Sequence, residues 1–140
     1  MRGTICRTSL AALAILCAPM VGHASGHLPI PPTTQQFKSH EDCAAALQRL
    51  QDADQKQVAP KTTKADGATR EVDLDTKGIE RLGPKDVRYE ATLWFHHGHL
   101  IAEPKGTETS HSFQRRLNEC QDDTLHTSGE DGFTLSTFDP

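Results

Sequence analysis

The sequence lacks the short motifs of the common enzyme classes. It has no Gly-x-Ser-x-Gly, no His-Glu-x-x-His, no phosphate-cradling glycine-rich loop and no dinucleotide fingerprint. It also lacks a basic stripe, because its one notable basic cluster is the pair Arg115-Arg116. We therefore predict that the protein is not an enzyme and does not bind nucleic acid, since phosphate backbones are held by clustered positive charge.

A long apolar run is missing too. The longest one, residues 9–21, has about a dozen residues and contains Pro19, whereas a membrane-spanning helix needs about 20. Arg2 and Arg7 precede the run, and Gly22-His23-Ala24 follows it with small residues at both positions that a signal peptidase recognises. We predict a cleaved signal peptide over residues 1–24, export to the periplasm or the cell exterior, and no stable membrane insertion afterwards.

The exported chain would be acidic and would have a small core. Removing Arg2 and Arg7 from the 15 basic residues leaves 13 against 19 acidic residues, a net charge of −6. Apolar residues make up 35% and aromatic residues 5% of the sequence. This composition is enough for one small hydrophobic core, whose stability would have little margin. Cys43 and Cys120 lie outside the signal, and with no CxxC spacing this even pair in an exported chain predicts a disulfide.

Residues 25–38 contain Gly26, Pro29, Pro31 and Pro32, and we predict that they form a flexible leader without regular structure. The single domain would then occupy residues 39–140, which is an ordinary length for one domain.

The best helical pattern runs from Ser39 to Val58. Ser39 is placed to cap the first turn, and Asp42 completes a Ser-x-x-acid pattern at the positive end of the helix dipole. Apolar residues at the i, i+3, i+4, i+7 spacing line one face of this helix: Cys43, Ala46, Leu47 and Leu50. Cys43 lies on that face, so the disulfide would fasten the start of the helix to the segment that carries Cys120.

The segment of residues 87–102 has a period of two, which is typical of a half-buried strand. The inward set would be Val87, Tyr89, Ala91, Leu93 and Phe95, and the outward set Arg88, Glu90, Thr92, Trp94 and His96. His97-Gly98 matches a two-residue hairpin turn, with residues 100–103 as the returning strand.

The remaining segments complete an antiparallel sheet. Residues 69–75, 124–127 and 132–138 have strand patterns, whereas residues 61–67, 76–86 and 128–131 resemble loops and turns. Residues 107–120 fit a helix or a strand, and the neighbouring strands favour a strand. The predicted class is α+β, with one N-terminal amphipathic helix packed on a four- to six-stranded antiparallel meander.

The outward face of residues 87–96 suggests a surface for a protein partner. Trp94 would be an exposed anchor of the type that dominates binding hot spots, with Arg88 and Thr92 beside it. Alternatively, the leader or the C-terminal segment covers Trp94. Our leading hypothesis is a small exported binding protein without catalytic activity; the sequence does not determine its partner or its oligomeric state.

The histidines at residues 96–99 suggest a metal-binding protein instead. If the turn lies at His97-Gly98, His96 and His99 face each other about 5 Å apart across the hairpin. Such a pair can share Zn²⁺ or Cu²⁺, with His97 or a carboxylate as a third ligand. The alternative is a solvated turn with no cofactor at all, because His-Gly suits a tight turn without any ligand.

A small hydrolase is the third hypothesis. Ser110-His111-Ser112 places hydroxyls beside an imidazole, but neighbours on a strand point to opposite faces and do not pair there as nucleophile and base.

Overall fold

The structure, a computed structural model, describes residues 26–140. The predicted signal peptide, residues 1–24, lies outside these described residues. Between residues 26 and 140, no helix combines the length and the apolar character that crossing a membrane requires.

One helix and six strands make up this part of the chain. They follow one another as β1 (Gly26–Gln36), α1 (His40–Gln55), β2 (Ala59–Thr63), β3 (Thr69–Gly83), β4 (Asp86–Ala102), β5 (Lys105–Gln121) and β6 (Thr124–Asp139). The strands form a single sheet in the order β1-β6-β5-β4-β3-β2, and each neighbouring pair is antiparallel. Strands β2 to β6 therefore form a meander, as the sequence predicts, and β1 is added beside β6.

The helix begins where its cap predicts. Ser39 has an extended backbone, and its hydroxyl accepts a hydrogen bond from the Asp42 amide at 3.1 Å. Cys43, Ala46 and Leu47 are buried on the inner face. The helix ends at Gln55, before the predicted limit, because the chain must turn and enter β2 at Ala59. It is also not the N-terminal element, because β1 comes first.

The prediction of a flexible leader over residues 25–38 is wrong. The segment forms β1, an edge strand that pairs with β6. An edge strand tolerates proline because the backbone on its outer side needs no partner. Pro31 and Pro32 lie where the register shifts, between Ile30 and Thr33, so they interrupt the ladder without ending it.

The core lies between α1 and one face of the sheet. Its fully buried side chains include Leu47 from the helix and Tyr89 from β4. Cys43 and Cys120 form the predicted disulfide, with their Cα atoms 5.9 Å apart, and this bond joins the first turn of the helix to β5. The inward residues of β4 follow the predicted alternation up to Leu93.

A hydrogen bond also joins helix and sheet. The Tyr89 hydroxyl donates to the Asp54 carboxylate at 3.0 Å. Burial raises the pKa of this hydroxyl, and the hydrogen bond to Asp54 raises it further. Neutral tyrosine is therefore the form that the folded protein favours.

The predicted hairpin turn at His97-Gly98 is wrong. Strand β4 continues to Ala102, and the turn to β5 lies at Glu103-Pro104. Gly98 is buried in the strand, where an added Cβ would lie 2.5 Å from the Thr69 hydroxyl oxygen on β3. The glycine provides room for a neighbouring strand, which is its other common role in a sheet.

Three other predicted connections belong to strands. Residues 128–131 continue β6, where the Phe113 ring of β5 covers nearby Gly132. Residues 76–83 continue β3 through a register shift between Thr76 and Ile79, with Gly78 at φ 78°. Residues 61–63 belong to β2. The preference for a strand over residues 107–120 is confirmed by β5.

Candidate functional site

The side of the sheet that faces away from α1, which we call the open face, holds the candidate site. Because side chains alternate along a strand, it carries the predicted outward residues of β4 and their register partners. On β5 these partners are Glu119, Leu117, Arg115, Phe113 and His111, and on β3 they include Asp75, Asp73 and Glu71.

A depression of about 550 Å³ lies on the open face. The Trp94 and Phe113 rings contribute to its lining with centroids 5.1 Å apart and planes tilted by 46°. His27 of β1 meets the other side of Phe113 edge-on, at a centroid distance of 5.4 Å. We call this cavity the aromatic depression; β1, the segment predicted to be a leader, contributes His27 to its lining.

Charged side chains surround the two rings. Four carboxylates and two permanent cations line the aromatic depression. The carboxylates are Asp75, Glu80, Glu90 and Glu130, and the cations are Lys77 and Arg115. The lining is therefore acidic by two charges when His27 is neutral.

Arg115 is already occupied by carboxylates. Its Nε donates to Glu90 Oε1 at 3.0 Å, and its Nη1 lies 3.9 Å from Glu130 Oε1. The hydrogen bond with Glu90 raises the pKa of Arg115. Asp75 makes no ion pair with any described residue, so its charge is available to an incoming cation.

The three predicted binding residues have different places. Trp94 and Thr92 line the aromatic depression, and Trp94 is half-buried. Arg88 lies on the same face but outside the lining, between Glu80 and Glu119 at 3.8 Å from each. The predicted role of Arg88 at the site is therefore not supported by its position.

The predicted cluster of three imidazoles at a hairpin tip is wrong. Since β4 is continuous, His96 lies on the open face, whereas His97 and His99 lie on the opposite face. Within residues 26–140, no three histidine, cysteine or acidic side chains already surround a common point as metal ligands.

His96 instead meets His111 of β5. The two residues are directly opposite in the register, and their Nδ1 atoms lie 2.6 Å apart. Nε2 of His96 lies 3.1 Å from an Asp73 carboxylate oxygen on β3. A smaller cavity of about 150 Å³ adjoins this pair, and Glu71, His97 and Thr109 also contribute to its lining. We call Asp73, His96 and His111 the histidine cluster.

Sequence reasoning missed Phe113, Arg115, His111 and His27. The first three lie in the predicted strand over residues 107–120, but their neighbours on β4 depend on the register between β4 and β5. That register follows from the turn at Glu103-Pro104, and a turn at His97-Gly98 gives different partners. His27 lies in the segment predicted to be a leader, and it joins the sheet through the pairing of β1 with β6.

The chain matches no model of a known protein family, no characterised protein and no solved structure. The fold and the site therefore define a class only: a small disulfide-bonded α+β protein with an aromatic, acidic depression on its open sheet face.

Proposed function

We propose that this protein is a small exported binding protein without catalytic activity, and that its aromatic depression holds a lysine- or arginine-bearing segment of a protein partner. The observation that carries this proposal is the Trp94–Phe113 pair within an acidic lining. Half-buried tryptophan is typical of binding hot spots.

The partner's chemistry follows from charge and ring geometry. A cation over a tryptophan face is attracted by the ring quadrupole, and nearby carboxylates strengthen that attraction. Asp75 is the best-placed counter-ion for an incoming cation, because Glu90 and Glu130 are already paired with Arg115. A positive segment also complements an exported chain whose net charge, without Arg2 and Arg7, is 13 − 19 = −6.

The cysteines support export. The Cys43–Cys120 disulfide persists in oxidising compartments and is rare in a reducing cytosol. Within residues 1–24, the basic start, the short apolar run and the small residues near the end also predict export.

The arrangement of hydroxyls supports a non-catalytic role over a small hydrolase. Ser110 and Ser112 alternate with His111 along β5, so the hydroxyls and the imidazole lie on opposite faces. Nδ1 of His111 contacts Nδ1 of His96, and among the described residues no hydrogen bond joins either ring to the hydroxyl of Ser110 or Ser112.

Fluorescence provides a direct test, because Trp94 is the only tryptophan in the chain. We expect short peptides with two or three lysines or arginines to change the Trp94 emission in a saturable, salt-sensitive way. Peptides of the same length with glutamate at those positions should leave the emission unchanged.

Two charge-removing variants give a matched control. Asp75→Asn should weaken binding of the basic peptide, whereas Asp52→Asn, which removes an exposed charge on α1, should not. Equal binding of acidic and basic peptides, or equal weakening by both variants, would rule out the proposed site.

A further inference from the structure

We propose that His96 and His111 are the first two ligands of a divalent transition-metal site, which would accept Zn²⁺ or Cu²⁺. The observation is the 2.6 Å approach of their Nδ1 atoms from adjacent strands. This site is separate from the aromatic depression, because neither histidine belongs to the lining of that cavity.

The hydrogens of the histidine cluster can be arranged so that two nitrogens face the same point. Nε2 of His96 lies 3.1 Å from an Asp73 carboxylate oxygen, and in the tautomer that keeps its hydrogen on Nε2, Nδ1 of His96 has a lone pair. At 2.6 Å the two Nδ1 atoms share one hydrogen bond, which His111 donates in its Nδ1–H tautomer. When the hydrogen of His111 is on Nε2 instead, both Nδ1 lone pairs are free to coordinate a metal ion.

Asp73 has the role that carboxylates commonly play behind a metal-binding histidine. By accepting the hydrogen of the remote ring nitrogen, such a carboxylate selects the tautomer, orients the ring and makes the coordinating nitrogen more basic. The Asp73 carboxylate lies 3.1 Å from the remote ring nitrogen of His96, which is within reach for that role.

The movement required is small. Zinc binds imidazole nitrogen at about 2.0–2.1 Å, so two nitrogens on a tetrahedral ion lie roughly 3.3 Å apart. The His96 and His111 rings meet nearly edge to face, at 74°, and rotations of their side chains would open the present spacing to that value. The side chain of His96 is 30% exposed, so an ion can reach it from solvent.

Glu71 is the best third ligand. It lies directly opposite His96 on β3 and lines the same small cavity as both histidines. Its carboxylate must turn toward the two nitrogens, because no described group of three such side chains has converged yet. Water can complete the coordination, as carboxylate, imidazole and water together suit Zn²⁺.

The test is a calorimetric titration of Zn²⁺, and separately of Cu²⁺, into tag-free protein secreted with its disulfide formed. We expect one ion per chain with a micromolar Kd. His96→Ala and His111→Ala should each abolish binding, and Asp73→Asn should weaken it by about 10- to 100-fold.

The matched control is the His99→Ala variant. It removes an imidazole of the same strand that lies on the opposite face and outside the lining of the small cavity, so binding should be unchanged. In addition, the electron paramagnetic resonance spectrum of bound Cu²⁺ should show coupling to two nitrogens in the wild type.

Failure of wild-type binding would overturn the proposal, as would binding that His111→Ala retains or that the control variant loses. Denaturant unfolding checks that each variant folds. If His111→Ala does not fold, His111→Gln keeps a side chain of similar reach and should also lose binding.

Discussion

Alternate residues of β4 form the two sides of this strand, and the two sides differ in burial and in the chemistry of their neighbours. On the helix side, Val87, Tyr89, Ala91 and Leu93 are at most 4% exposed. On the open face, Thr92, Trp94 and His96 are half-buried and meet charged or aromatic neighbours. The first surface is covered by α1 and held by a disulfide, whereas the second is available to other molecules.

This contrast indicates that the residues of the core and those of the proposed binding surface differ in side-chain orientation and not in position along the chain. A change at one residue should affect unfolding, while a change at the next residue should affect binding. A register slip by one residue would exchange the two sets, which is why the buried set specifies the pairing strongly.

The largest effect on stability is expected from removing the disulfide, which lies on the helix side of the sheet. The disulfide joins cysteines 77 residues apart, so the Cys43→Ala/Cys120→Ala variant should lose roughly 4 to 5 kcal/mol of unfolding free energy in the chain-entropy model. Urea unfolding of the variant and of the oxidised wild type measures this loss. A loss below about 1 kcal/mol would mean that closing the loop constrains the unfolded chain little.

Neighbouring substitutions test the contrast directly. Leu93→Ala should lose about 3 kcal/mol, because it removes buried methyl groups and leaves a cavity. Thr92→Ala changes a half-buried residue on the open face and should lose no more than about 1 kcal/mol. Similar losses from both variants, measured by denaturant unfolding, would contradict the assignment of the two faces.

Tyr89→Phe isolates the hydrogen bond between sheet and helix. Removing the donor to Asp54 should cost about 1 kcal/mol at neutral pH. Because the pKa of Tyr89 is raised by folding, the unfolded chain releases the tyrosine proton first as pH rises above about 10.

The wild type should therefore lose stability more steeply than Tyr89→Phe as pH rises from about 10 upward. Below that pH the difference between the two proteins should stay constant. Parallel curves throughout the alkaline range would show that this hydroxyl titrates alike in both states.

A small effect of about 1 kcal/mol is expected at the helix cap, where Ser39→Ala leaves the Asp42 amide without its acceptor. Ser39→Asp should retain most of the stability. The emission of Trp94 below the unfolding transition should be the same in all three proteins, because the cap lies on the helix side. A shift in that emission would show that the two faces are coupled.

Local patterns predicted the elements whose contacts are close in sequence. The cap at Ser39, the apolar face around Leu47 and the inward set from Val87 to Leu93 each depend on spacings of a few residues. The strand over residues 107–120 was also predicted, because short turns favour neighbouring antiparallel strands.

Glycine and proline misled the prediction wherever their role was set by a neighbouring strand. Gly98 and Gly129 leave room for the Thr69 side chain and the Arg115 backbone, and the prolines of β1 lie on an edge where a missing N–H is tolerated. Because the sequence does not show which neighbouring strand packs over a glycine, Gly98 and Gly129 resemble turn residues, and the prolines resemble a segment without regular structure.

By itself, the sequence determined the helix, the disulfide pair and the two-sided character of the central strand, since a side chain's direction follows from backbone periodicity alone. Only the tertiary structure decided which residues meet on the open face. Phe113 joins Trp94, and His111 joins His96, because the register between β4 and β5 brings them opposite one another. Register depends on where the chain turns and on how whole strands pack, so no local spacing contains it.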